Sequence, residues 1–361
     1  MTSIDESAIV ATSPDAGRAV RVPPATPAEN LVMVLCGTWL MGGALLDGWA
    51  HSNILKTLES FFTPWHAVLY SGFAASAVCT FAIGYRRRHV APEWWRDGWP
   101  PGYRVGALGV VIFLFAGGAD MVWHTIFGIE SNLAAALSPS HLLLAVGSTL
   151  LLTSPLRSWW ASGAPPGPPA AAGVWALGLG TAAVSVFLSY ALAFSPGWPL
   201  QLYVQKDIGT VQSNQAALGV ASYVVTTAVL VVPLLLVHRR RATRGVAPAL
   251  LGAVVVFQLG THEFPATLTI AAAAALVAAT VVDVVLRQLD RIRGADAPLR
   301  LPIAGAVFAV LVWPAHLVGL HLAGGVHWPA ELVGGSVVVS VGVAALLGGL
   351  AARPAPVTVR T

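Results

Sequence analysis

Two stretches of this sequence repeat one order of acid, imidazole and proline residues. Residues 47–66 carry Asp47, His51, Glu59, Ser60, Thr63, Pro64 and His66; residues 120–141 carry Asp120, His124, Glu130, Ser131, Ser138, Pro139 and His141. An Asp and a His four apart on a helix share a face, one turn apart. Thr63 and Ser138 have side chains that cap helix N-termini, and Pro64 and Pro139 suit the first helical position. His66 and His141 then fall in the first turn of a returning helix, near the depth of His51 and His124. Each stretch therefore predicts a helical hairpin that presents one carboxylate and two imidazoles to one spot. That donor set suits a divalent metal ion of the first transition row, such as copper, zinc or iron. A carboxylate can instead orient a ligand imidazole. Glu59 and Glu130, in the connecting loops, are candidates for groups behind the ligands or for proton transfer. The repeated order predicts duplication of a two-helix hairpin. A plainer reading stays open for either hairpin alone: Asp-x-x-x-His as an intrahelical hydrogen bond, and Pro-x-His as a helix start.

The elements that would position these groups are membrane spans. Of 361 residues, 56% are hydrophobic and 10% charged, against about 25% charged in an ordinary soluble domain. Mean hydropathy is +0.73. Such a composition excludes a soluble enzyme, a disordered chain, a disulfide-stapled secreted module and a nucleic-acid binder. There is no Gly-x-x-x-x-Gly-Lys-Ser/Thr motif, so no nucleotide is expected as a partner. A helix needs about 20 mostly apolar residues to cross the hydrocarbon layer. Ten runs qualify: 31–50, 66–84, 105–126, 138–154, 171–194, 216–237, 248–263, 265–286, 302–323 and 329–351. The expected fold is an all-α polytopic transmembrane bundle. It divides into a polar N-terminal tail (1–30), the duplicated hairpins (31–154), six further helices (171–351) and a C-terminal tail (352–361). Residues 1–30 carry Asp5, Glu6, Asp15, Arg18 and Arg21, unlike a cleavable signal peptide, and the first span is expected to serve as an uncleaved anchor.

Charge orients the bundle. With both termini cytoplasmic, the inner segments hold every arginine, from Arg18 to Arg360, and the outer ones only Lys56 and Lys206. This is the positive-inside pattern, and it accounts for a pI of about 9.4 without a nucleic-acid partner. The lipid bilayer is the expected environment of a multi-pass protein of the cell membrane, with partner subunits or self-association left open. Cys36 and Cys79 lie toward the inner halves of their spans and read as packing residues.

The same orientation puts eight of the ten histidines on the extracytoplasmic side: His51, His66, His124, His141, His262, His316, His321 and His327. Asp47, Glu59, Asp120, Glu130, Asp207, Glu263 and Glu331 accompany them. Ionisable groups at membrane depth are costly, and they mark bundle interiors or watery cavities. His262 with Glu263, and His316, His321 and His327 with Glu331, form looser candidates for a second site.

The doubled hairpin Asp47…His51…His66 and Asp120…His124…His141 resembles the copper-binding hairpins in the C subunit of the membrane-bound copper monooxygenases, the methane and ammonia monooxygenase family. The resemblance spans residues 31–141. It implies copper ligands on those six residues and a copper-dependent oxidoreductase within a multi-subunit complex. This chain departs from the family in having Asp120 where the family's second set begins with Asn, and in its six later helices. The leading expectation is thus oxidation of a small apolar substrate at an extracytoplasmic metal site. The alternatives are a metal-ion or proton transporter, a metal-delivery protein, and a structural membrane subunit without metal.

Overall fold

The computed structural model describes residues 22–54, 62–128, 132–163, 168–203, 211–240, 243–294 and 297–352. These residues hold no strand. Their helices are α1 (Pro27–Asn53), α2 (Pro64–Tyr85), α3 (Trp94–Asp97), α4 (Tyr103–Phe127), α5 (Asn132–Leu137), α6 (Pro139–Leu152), α7 (Ser154–Ser162), α8 (Pro168–Phe187), α9 (Val211–His238), α10 (Val246–Gly260), α11 (Ala266–Arg293), α12 (Arg300–Gly324) and α13 (Ala330–Ala351). Among them nine spans are long and apolar enough to cross a membrane, with α6 and α7 together forming one of the nine.

Two of the ten expected spans take another form. The run 248–263 becomes α10, only 15 residues long, or about 22 Å, against a hydrocarbon layer of about 30 Å. The turn before Pro265 ends it, and Glu263 and Phe264 adopt φ of 59° and 54° there. The run 171–194 is helical only as far as Phe187. A 3-10 turn at Ser189–Ala191 follows, and Leu192, Ala193 and Phe194 are buried without being helical. Irregular backbone at such depth is tolerated only inside protein, where its polar groups find partners. Ala193 N–H accordingly donates to Thr226 Oγ at 2.9 Å. Hydropathy reads burial, which this segment has, and cannot tell a buried helix from a buried loop.

Local chemistry sets the helix ends. Thr26 and Glu29 form a capping box at the start of α1, with bonds of 3.1 and 2.8 Å. Buried Arg87, just past α2, holds the Glu29 carboxylate at 2.9 Å and donates to the Pro23 and Pro24 carbonyls. The planar guanidinium can serve several acceptors at once. Arg157 donates to the Gly102 carbonyl before α4, and Arg300 joins Asp290 to the His238 carbonyl. These arginines stitch one end of the bundle, the end where α1 begins. The carboxylates and histidines of the two hairpins lie at the other.

The interior has two cores. One joins α1, α2, α4 and α6; the other joins α9 to α13. Helix α8 serves both, giving Leu179, Ala182 and Ala183 to the first and Val174, Ala176 and Leu177 to the second.

Each hairpin closes on glycine. A Cβ added to Gly72 of α2 would lie 2.6 Å from the Leu40 Cα of α1, and one added to Gly147 of α6 would lie 2.7 Å from the Phe113 backbone nitrogen of α4. Leu40 is seven residues before Asp47, and Phe113 is seven before Asp120. Gly72 is six residues after His66, and Gly147 six after His141. The helix pairs therefore meet at the same register below each Asp/His group. Small residues that let backbones touch are a principal means of packing helices in lipid. Gly147→Val should overpack this crossing and cost about 1–3 kcal/mol. Gly42→Val, which meets nothing within 4 Å, should stay within about 0.5 kcal/mol. Thermal unfolding of the two variants in detergent checks the difference.

Candidate metal centre

The first group joins the last turns of α1 to the first turn of α2. Asp47 Oδ1 lies 3.3 Å from His66 Nε2, and Asp47 Oδ2 lies 3.8 Å from His51 Nε2. The second group joins α4 to α6 in the same way. Asp120 Oδ1 lies 3.2 Å from His141 Nε2, and Asp120 Oδ2 lies 3.6 Å from His124 Nε2. In both hairpins the anticipated cap forms: Thr63 Oγ accepts from His66 N–H at 3.2 Å, and Ser138 Oγ accepts from His141 N–H at 3.4 Å. The cap fixes the first turn and with it the direction of the returning imidazole.

In each group the donor atoms lie within 4.8 Å of one another, and among the described residues only these two groups of three could hold a metal ion. Two donors about 2.0–2.2 Å from one tetrahedral ion are about 3.3–3.6 Å apart. The observed carboxylate–imidazole separations of 3.2–3.8 Å fit that span.

The second group is the more buried and the more firmly braced. Asp120 and His124 side chains are each 3% exposed, against 18% and 20% for Asp47 and His51. His124 Nδ1 lies 3.2 Å from the Gly128 carbonyl, and His141 Nδ1 lies 2.5 Å from the Ala135 carbonyl. A carbonyl only accepts, so both Nδ1 atoms carry the hydrogen and a neutral ring turns the lone pair of Nε2 toward Asp120. Gly128, at φ 82°, makes the sharp turn that brings its carbonyl back beneath His124. Ser140 Oγ donates to Asp120 Oδ1 at 2.9 Å. The first hairpin has Trp65 at the matching position, and among the described residues no hydroxyl donates to Asp47 Oδ1.

The two groups are neighbours. The rings of His51 and His124 are 6.5 Å apart between centroids, and each faces its own hairpin partner at about the same distance: 6.0 Å for His51–His66 and 5.8 Å for His124–His141. Asp47, His51, His66, Asp120 and His141 line one cavity of about 650 Å³.

The other candidate residues are placed as follows. His262 lines the same cavity, on the turn after α10. Its neighbour Glu263 accepts from Trp49 Nε1 at 3.2 Å, and Asn53 donates to the Thr261 carbonyl at 3.0 Å, so this turn is docked on the end of α1. His316 is 1% exposed in the second core, 3.0 Å from the Tyr223 hydroxyl. His321 Nδ1 accepts from Val326 N–H, and His327 Nδ1 lies 2.9 Å from the Leu200 carbonyl. Glu331 is in the first turn of α13. These six do not come together as a third group among the described residues. Glu59, Glu130 and Asp207 lie outside the described residues.

Sequence reading passed over Ser140, whose one signal was a hydroxyl inside the Pro-x-His motif. It also passed over Gln258 of α10, which lines the cavity and which no local pattern marks.

Compared with family models, with curated proteins and with solved structures, the chain matches none. The site therefore has to be read from its own geometry.

Outer partners of metal ligands typically account for 10–100-fold in affinity. Ser140→Ala should weaken divalent-metal binding at the second group by about that factor and leave the first group unchanged. Competition titrations against a chelator, in His51→Ala and His124→Ala backgrounds, separate the two affinities.

Proposed function

We propose that this chain is a membrane metalloprotein in which Asp47, His51 and His66 hold one ion and Asp120, His124 and His141 a second, and that copper at this centre oxidises an apolar substrate that enters from the bilayer. The observation that carries this reading is the second group. His124 and His141 both direct Nδ1 at backbone carbonyls, so neutral rings would turn both Nε2 lone pairs toward the Asp120 carboxylate. Three acceptors facing one another in that form would repel, and a cation among them would resolve the conflict. Imidazole and carboxylate without thiolate suit copper, zinc or iron. The resemblance of the hairpins to the copper monooxygenase C subunit favours copper.

Bound copper would supply the electron-transfer and oxygen chemistry that side chains lack. The chain's own part is positional. The Gly128 and Ala135 carbonyls fix the ring orientations of His124 and His141, and the Ser140 hydroxyl holds Asp120. Around them Leu40, Leu69, Phe113 and Leu144 wall the cavity with hydrocarbon, which keeps water scarce and takes up an apolar molecule. The positive-inside rule supports reading the arginine-stitched end as cytoplasmic, and with it the metal centre as extracytoplasmic.

Elemental analysis of protein purified in nanodiscs should find two metal ions per chain. His51→Ala and His124→Ala should each retain one, and the double variant none. Wild-type metal content in both single variants would overturn the reading. Reductant- and substrate-dependent O2 consumption should accompany the metal-loaded wild type. Ion flux into vesicles without O2 consumption would replace oxidation with metal transport on the same ligands.

A further inference from the structure

Tyr70 stands one turn below His66 on α2, and the second hairpin has Ala145 at the matching position. A centre whose ligand groups come in two thus has this phenol once. Side chains on a helix lean toward its N-terminus. Helix α2 begins beside the Asp/His groups, so Tyr70 leans toward them. Helix α4 ends there, so Asp120 leans back toward the level of Tyr70.

The hydroxyl is located by its contact with α4. A Cβ added to Gly117 would lie 3.0 Å from it and 2.9 Å from the ring edge. Gly117 is four residues after Phe113 and three before Asp120, so the three share one face of the helix. Phe113 and Asp120 both line the cavity, and so does Tyr70. The phenol ring stands 6.2 Å from the His66 ring and 6.3 Å from the Phe113 ring between centroids. The side chain is half-buried, and it interacts electrostatically with both Asp120 and Asp47. The hydroxyl therefore lies in the cavity wall, about one turn below Asp120 and within reach of the charge at both groups.

Asp47 and Asp120 are the acidic residues among those that line the cavity. Two divalent ions would set four positive charges against these two negative ones. Buried charge left uncompensated is costly, and a bound ion is often the largest local charge in its site. A filled centre would therefore attract an anion through the rim, where Ser52 and His262 are exposed. An anion also needs a donor. Ser52, Ser148 and Thr261 line the cavity too, but each donates to a carbonyl of its own helix. The Tyr70 hydroxyl is carried across from α2 to the face of α4 that bears Asp120.

We infer that the ion-filled centre binds a small anion in the cavity and that the Tyr70 hydroxyl donates a hydrogen bond to it. This deepens the proposed function and rests on its two ions. A preorganised donor placed where negative charge gathers on a ligand is a principal electrostatic contribution of a protein to a reacting site. Here it comes from a residue that holds no ion.

The test uses copper(II)-loaded protein in lipid nanodiscs, with metal content measured first by elemental analysis and azide as the probe anion. The charge-transfer absorption of copper-bound azide reports binding, which should be saturable in the wild type. Tyr70→Phe should keep two ions per chain and bind azide about tenfold more weakly, the worth of one hydrogen bond to a charged acceptor. The infrared stretch of its bound azide should also shift. Gly117→Ala, whose methyl would press on the hydroxyl, should weaken azide while keeping every metal ligand, and it serves as the comparison where Tyr70→Phe fails to fold. No azide binding by the loaded wild type, or equal affinity in wild type and Tyr70→Phe at full metal content, would sink this inference and leave the metal reading standing. Loss of an ion from Tyr70→Phe would also sink it, by making the phenol a ligand. A wild type that holds no metal would remove both readings.

Discussion

A carboxylate pinned between two imidazoles at the junction of two helices is the constraint around which the first half of this molecule is arranged. Such a contact cannot be made by one helix. Asp120 and His124 share a face of α4, but His141 reaches Asp120 only if α6 returns at the right height and rotation. Three separate devices set that height and rotation: the Ser138 cap, the Gly109–Gly147 backbone contact below, and the carbonyls of Gly128 and Ala135 behind the rings. Hydrophobic packing alone would not impose this register, since lipid solvates apolar side chains as well as a neighbouring helix does. Close glycine contact and polar pairing supply the specificity that hydrophobicity lacks in a membrane.

The two hairpins share this plan but differ in degree. Ser140 binds Asp120 where the first hairpin has Trp65, whose ring instead packs edge-on against Trp49 at 5.9 Å. The second group is therefore the more hydrogen-bonded, with Asp120 and His124 the more deeply buried, while the first also faces the docked turn carrying His262 across the shared cavity. Two groups with the same donors thus differ in burial and in bracing.

Much of the centre was legible because its rules are local. Four-residue spacing places Asp47 with His51 and Asp120 with His124, and Thr-Pro and Ser-Pro mark where α2 and α6 begin. Those relations survive any tertiary arrangement. The adjacency of the hairpins was not legible, because the 6.5 Å between His51 and His124 depends on how α2 packs on α4. Nor was the cavity, whose far wall comes from α8 and α10, more than a hundred residues along the chain from Asp47. The end of α8 misled for a different reason: 188–194 continues an apolar run, yet past the 3-10 turn the buried Ala193 N–H is satisfied by Thr226 rather than by a helical turn. The histidines of the second half show the limit of composition. His316 and His327 share the acidic, imidazole-rich end by residue type, but one is bound to Tyr223 in a dry core and the other to a loop carbonyl.

Helix α8 belongs to both cores, and its last turns, at Ala183, Val186 and Phe187, form part of the cavity wall. It cannot tilt to suit one side without disturbing the other. The five helices beyond it, which contribute none of the six acid and imidazole groups, thereby gain leverage over how wide the chamber stands. A shift in those helices would therefore alter the width of the chamber while leaving the contacts within each Asp/His group untouched.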